Sequence, residues 1–313
     1  MSDIQGSVAI NRTTFFIEGV ITACLLVLPL VMKRTDVLNL LFLVFLFITL
    51  SQSWNILCGY AGQVNLGHAG FFGLGALVTR FLWLSGLPFL LTFFVGGVVS
   101  LIFAVIIGFP AFRLKGAYFV IGMLALAEIM SITVSNALPS ISAMPAEYVA
   151  AYSLVPRYYL ALLLAMAAVA AVYVLSKSKT GLGMLAVRED EDTAETSGVN
   201  TLKYKLVALG LSAFFAGLAG GTFAFFHVSY YPEHAFSVLW TFDSMFIAFI
   251  GGVGTVVGPI IGALFFVALR EVFALVLPLE VHVILFGALF ILVILFMPRG
   301  LVEVPARVGR ILS

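Results

Sequence analysis

GYAGQVNLGHAGFFGLGAL, residues 59–77, sets Gln63, Asn65 and His68 among six glycines inside a strongly apolar chain. Glycine admits positive φ and close backbone approach. Irregular backbone at membrane depth is tolerated where it is buried in protein or lines a polar cavity, and interrupted helices in transporters commonly face the solute path. The stretch therefore predicts a broken or re-entrant glycine-rich segment within a helical bundle, with Gln63, Asn65 and His68 as translocation-pathway candidates. A plainer reading stands beside it, in which the glycines only pack helices and the polar side chains cap a break.

Working outward, the composition fixes the class. Apolar residues make up 62% of the chain and charged residues 10%, against roughly 25% charged in soluble domains. Such a chain cannot clothe itself in polar groups, so an integral membrane protein is expected. Sixteen basic and fifteen acidic residues give a net charge of +1, which offers no electrostatic case for nucleic acid. Cys24 and Cys58 lie in apolar stretches and are expected as buried free thiols. No C-x-x-C or H-E-x-x-H spacing suggests a metal, no G-x-x-x-x-G-K-[ST] loop suggests bound ATP, and no G-x-S-x-G elbow suggests a nucleophile. A transport subunit without a bound cofactor is expected, not an enzyme.

Apolar runs near 16–32, 37–57, 66–85, 88–109, 117–136, 157–175, 206–228, 238–257, 259–277 and 281–298 each approach the 20 residues that cross a bilayer as a helix. The expectation is an all-α polytopic bundle of about ten transmembrane helices forming one permease domain over 1–313, with the segments 59–66 and 251–259 either re-entrant or connecting loops. The first run lacks a small-residue cleavage site and reads as a retained span. Basic residues set the orientation: the polar connection 176–205, with Lys177, Lys179, Arg188, Lys203 and Lys205, is expected in the cytoplasm, with 1–15 and the tail 299–313. The segments 137–156 and 229–236 then fall outside. Lys33 and Arg34 also fall outside, snorkelling at the interface, unless the count shifts by one near 58–66. Small residues recur every fourth position at Gly96, Ser100, Ala104 and Gly108, at Ala213, Gly217 and Gly221, and at Gly254, Gly258 and Gly262, as expected of closely packed helices.

Ionisable residues inside a membrane default to functional candidates. Glu128 in GMLALAEIM and Asp243 in WTFDSMF are such residues, with interhelical hydrogen bonding as the structural alternative; the adjacent Arg270 and Glu271 suit an interface. An ion-driven carrier or channel working alone, with Glu128 and Asp243 as its proton or cation sites, is one reading. The spacing E-x-x-A-E-x-x-G at Glu191, Ala194, Glu195 and Gly198 suits a short surface helix ended by the glycine, which a carrier working alone does not need.

WNILCGYAGQVNLGHAGFFGLGAL (54–77) resembles the signature of permease subunits of branched-chain amino acid ABC transporters. RLKGAYFVIGMLALAEI (113–129), GLGMLAVREDEDTAETSGVNTLKYKLVALGLSAFFAGLAG (181–220), GGVGTVVGPIIGA (251–263) and MPRGL (297–301) agree with it in order, and the likeness runs from about residue 40 to 301. The long acidic loop and RLKGAYF resemble the M-type partner of the two non-identical permeases. The resemblance implies a heterodimer with a second permease, two cytoplasmic ATPases that use ATP, an external solute-binding protein, and a bacterial or archaeal inner membrane. It implies that Arg188, Glu189, Asp190, Glu191, Ala194, Glu195 and Gly198 form the ATPase-coupling loop. Gln63, Gly67 and His68 match the signature, Asn65 replaces a more usual serine, and Asp243 stands where glutamate is common. With the chain ending soon after MPRGL, no fused ATPase is expected. One departure is SNALPSISAMPAEY (135–148), which replaces a glycine-rich stretch and leaves urea, short amides or another small solute as alternatives to leucine-like amino acids.

Overall fold

The computed structural model describes residues 12–31, 34–138, 146–150, 152–276, 279–296 and 300–303. Ten long helices carry the fold and no strand occurs among the described residues. They are α1 (Arg12–Val31), α2 (Thr35–Asn55), α3 (His68–Leu84), α4 (Phe89–Ala111), α5 (Ala117–Ala137), α7 (Leu154–Lys177), α10 (Thr201–Phe226), α12 (Leu239–Gly251), α13 (Gly258–Val276) and α14 (Leu279–Phe296); α6 (Ala146–Ala150), α8 (Lys179–Glu189), α9 (Glu191–Thr196) and α11 (Pro232–Ala235) are short. Seven helical stretches among the described residues are long and apolar enough to cross a membrane, while α3 and the Thr22–Val31 part of α1 are apolar but shorter. Each apolar run of the sequence corresponds to one long helix.

The bundle is organised about α2 and α10. Helix α7 lies along α2, α12 and α13 cover another side of α2, and α3 and α4 pack along α10, while α5 rests on α3 and α14 on α12 at the periphery. Lipid supplies no hydrophobic drive for helix association, so close van der Waals fit does that work. Glycines make the fit possible at the α3–α4–α10 centre. A methyl on Gly75 would strike the backbone of Gly217, one on Gly220 would strike the Phe72 carbonyl and lie 2.9 Å from Ala76 N, and one on Gly96 would lie 2.8 Å from the Gly75 carbonyl. Two of the four-residue spacings therefore are helix-packing faces. The third is not a single face: Gly254 lies in a loop with φ +80°, whereas Gly262 packs on the Ile247 carbonyl.

The end of α10 illustrates how a helix terminus is completed inside an apolar body. Its last carbonyls have no intrahelical donors. Arg80, wholly buried on α3, donates from Nη1 to the carbonyls of Ala224 (3.1 Å) and His227 (3.2 Å) and from Nη2 to Val228 (2.6 Å). Arg157 on α7 donates to Phe225 O (2.6 Å) and Tyr152 Oη to Phe226 O (3.1 Å). Two cations at the negative end of the helix also oppose its dipole.

Two further expectations change. The run 238–257 stops being helical at Gly251, because Gly252 takes φ +128°; glycine and valine kept the hydropathy high through a loop. Cys24 is a free thiol but exposed on the face of α1, and only Cys58 is buried. An apolar neighbourhood in sequence does not separate a lipid-facing position from a core one. Lys33, the segment 1–11, the centre of the 135–148 departure and Arg299, Arg307 and Arg310 lie outside the described residues.

Candidate functional site

The polar centre grows from the last turns of α2. Residues 51–55, SQSWN, are all buried. Ser51 and Ser53 satisfy their hydroxyls locally, donating to Phe47 O (2.7 Å) and Leu50 O (2.7 Å), a helix back-bond that costs little. Ile56–Tyr60 widens into a π-helical turn, a form that concentrates at functional sites. Gly62 then reverses the chain at φ +72°. The returning segment runs back beside α2: Trp54 Nε1 donates to Asn65 O at 2.9 Å, and Ser53 Oγ meets His68 Nε2 at 2.9 Å. Helix α3 thus begins at His68, inside the bundle and beside the last turns of α2. The glycine-rich stretch is a broken helix pair.

The amides that open α3 are satisfied by side chains. Asn65 Oδ1 accepts from Gly67 N (2.8 Å), and Thr241 Oγ1 of α12 accepts from Ala69 N (2.8 Å). The direction of the Ser53 Oγ–His68 Nε2 bond follows the imidazole tautomer, and the second ring nitrogen is Nδ1. That Nδ1, Asn65 Nδ2 and Gln52 Oε1 are buried without a hydrogen-bond partner. Unsatisfied buried groups of this kind cost about 1–3 kcal/mol each. These three polar atoms lie buried and unpaired in the residues that form the break.

A second glycine loop closes on the first. Between α12 and α13, Gly252 (φ +128°) and Gly254 (φ +80°) turn the chain, and Thr255 Oγ1 bonds Gly252 O (2.8 Å) and Gly258 N (3.0 Å) to start α13. Asn55 reads this loop with both ends of its amide, accepting from Gly254 N (2.7 Å) and donating to Thr255 O (2.9 Å), and Gln52 Nε2 donates to Val256 O (2.6 Å). The contact is close enough that a methyl on Gly59 would lie 2.7 Å from Gly254 N.

The acidic surface segment is built in one piece. Ser178 caps α8 through Gly181 N (3.0 Å). Asp190 is at once the end of α8 and the cap of α9, accepting from Thr193 N (2.6 Å). These hydrogen bonds hold its carboxyl below the ordinary value of 3.8. Helix α9 closes with paired bonds, Gly198 N to Glu195 O (2.9 Å) and Val199 N to Ala194 O (3.0 Å), with Gly198 at φ +85°. Glu191 forms an ion pair with the buried Lys205 of α10, and Ala194 is buried, while Glu189, Asp192 and Glu195 are exposed. Arg188 Nη1 donates to Gly59 O at 2.5 Å, linking this segment to the α2 break.

Asn65 and His68 come together at the break, and Gln63 is half-buried beside them with its amide N bonded to Leu57 O (3.2 Å). Glu128 and Asp243 do not join them. Glu128 is exposed on α5, although its neighbour Ala127 packs near Gly70, and Asp243 is half-buried on α12 two residues beyond Thr241. Sequence reasoning missed Gln52, Ser53, Asn55, Thr241 and Arg80. The run SQSWN, five polar or amphipathic residues within an apolar helix, was the signal for the first three; Arg80, an ionisable residue within the run 66–85, met the same criterion as Glu128 and Asp243, and a lone threonine gave no signal.

A polytopic apolar bundle with broken helices, unpaired polar atoms at the break and an anchored acidic segment defines a membrane transport protein. Residues 37–294 match the family described as the permease component of branched-chain amino acid transport systems, and the chain belongs to that family. It is 27% identical over 306 residues to the high-affinity branched-chain amino acid transport system permease protein LivM of Salmonella typhimurium, a match that spans 87% of this chain and 71% of the relative. The LivM protein of Escherichia coli gives the same figures, 27% over 306 residues. A probable LivM protein of Methanocaldococcus jannaschii is 23% identical over 329 residues, covering 85% of this chain and 93% of its own. No solved structure matches the chain.

Proposed function

We propose that this chain is one of two non-identical permeases of an ABC importer that carries branched-chain or related amino acids inward across a bacterial or archaeal cytoplasmic membrane. In this reading two ATPases dock on 176–205 in the cytoplasm and use ATP there, this chain holding no cofactor, and an external binding protein delivers the solute. The observation that carries the reading is the construction of α8–α9. One side is fixed to the bundle by Ala194, the Glu191–Lys205 pair and Arg188, and the other offers Glu189, Asp192 and Glu195 to a partner. ATP-dependent docking there biases the bundle between outward- and inward-facing packings.

The unpaired Asn65 Nδ2, His68 Nδ1 and Gln52 Oε1 suit a solute that needs both donors and acceptors, as an amino acid does. Glu128 supports a location for the second permease. It shares the exposed face of α5 with Ile121, Ile129 and Ile132, and a carboxylate in mid-span is too costly to leave against hydrocarbon. The face is proposed to meet the partner permease across the solute path.

The test is reconstitution with partner permease, ATPases and binding protein, screening amino acids against urea and short amides for stimulated ATP hydrolysis. Glu195→Arg is expected to abolish ATPase co-purification and uptake while leaving membrane insertion intact. Normal uptake in that variant would sink the docking assignment. Uptake that persists on an ion gradient without ATP would instead favour a carrier working alone.

A further inference from the structure

Arg188 occupies the last turn of α8 and is exposed, yet its guanidinium reaches the backbone of the break. Nη1 donates to the carbonyl of Gly59 at 2.5 Å, within the π-turn that leads into the break. A methyl on Gly254 would lie 2.7 Å from the same Nη1, and one on Gly62 would lie 3.1–3.2 Å from Arg188 Cα, Cγ and Cβ. Gly62 and Gly254, one from each loop, leave room for the arginine, and Gly59 supplies the carbonyl that receives it. Among the described residues no carboxylate lies within ion-pair distance of it; a backbone carbonyl receives the charge.

Attachment of the segment does not require this insertion. Gly181, Met184 and Val187 already bury one face of α8, and Ala194 with the Glu191–Lys205 pair fixes α9. That second attachment leads to α10, which glycine contacts lock against α3 and α4. Arg188 leads elsewhere, to the two loops whose positive-φ glycines can change conformation without a side-chain clash. Its planar fork fixes direction as well as charge, which a lysine does not reproduce.

We infer that Arg188 is a positioning residue for transport, tying the α8–α9 segment to the paired glycine loops so that displacement of the segment is passed to the α2 break. The inference rests on the proposed ATPase docking at that segment. It separates two roles within one loop: α9 receives the partner, and Arg188 carries the movement inward.

The experiment uses the full complex in vesicles, with a branched-chain amino acid as solute, and reads uptake per ATP hydrolysed. R188Q is expected to keep the ATPases bound but to lower that ratio about tenfold or more, the loss of one charge-assisted hydrogen bond. R188K is expected to fall between R188Q and the wild type. A purely structural role lowers folded yield and both activities together with the ratio unchanged, and that result overturns the inference, as does a wild-type ratio in R188Q. Loss of ATPase co-purification in R188Q also overturns it, making Arg188 a docking contact. If the unsubstituted chain retains no ATPase, the underlying reading falls first, before any variant is compared.

Discussion

Helices α10 and α5 are nearly equal in mean hydropathy, 1.8 and 1.9, yet 78% of the apolar window of α10 is buried and only 17% of that of α5. Hydropathy reports membership of the membrane and says nothing of centre or edge. What differs is the size of the side chains. Helix α10 presents Ala213, Gly217, Gly220 and Gly221 to its neighbours, whereas α5 presents Tyr118, Ile121, Ile129 and Ile132 outward. Small residues let backbones meet, and without them a helix stays at the rim. On the proposed function, the carboxylate of Glu128 on that rim belongs to the face that meets the partner permease.

The contrast is broken most severely by adding volume at the centre. Gly220→Val, aimed at the Phe72 carbonyl, is expected to cost about 4 kcal/mol or more and to abolish recovery of folded protein in detergent. Gly122→Ala on α5, whose methyl meets only Leu114 Cδ1 at 3.1 Å, is expected to change the thermal midpoint little; equal damage from both would break the comparison. Arg80→Leu strips donors from three carbonyls at the end of α10 and is expected to cost about 3 kcal/mol in a denaturant series. Asn55→Ala removes both bonds to the 252–257 loop and is expected to cost about 2 kcal/mol, with faster amide exchange at Gly254 as its local sign.

At the rim the expectation reverses. Glu128→Leu is expected to leave stability of the isolated chain within about 0.5 kcal/mol while uptake by the complex falls; a large loss of stability instead would make Glu128 a structural residue. The smallest effect concerns pH. The folded carboxyl of Asp190 is held below 3.8, so its stabilisation of α9 is complete above that value and is lost as pH falls through the lower folded one. Limited proteolysis at α8–α9 is expected to accelerate only under such acid conditions, and acceleration at neutral pH would contradict the capping role.

How much of this was legible follows the same division. Run length and glycine spacing are local properties, and they yielded the ten helices, the α4 and α10 packing faces and the break at 59–67. Hydropathy alone carried the eighth run past Gly251, because glycine and valine in the loop look apolar while φ +128° at Gly252 ends the helix. The partners of Gln52, Asn55 and Arg188 lie 129 to 204 residues away, and no periodicity encodes such pairings. Arg80 is visible as a charge within an apolar run, but its partners lie 144 to 148 residues away and a single cation does not announce which helix end it completes.

Asn55 and Gln52 hold loop atoms that lie 199 to 204 residues further along the chain. At ribosomal speeds that interval is about 10–40 s, during which α2 is already made and its two amides have no α12–α13 loop to bind. Biogenesis must therefore keep the end of α2 hydrated or shielded until the last third of the polypeptide arrives. The bonds that close the break are among the final ones available to the nascent chain, which makes their formation a late checkpoint on whether insertion has gone to completion.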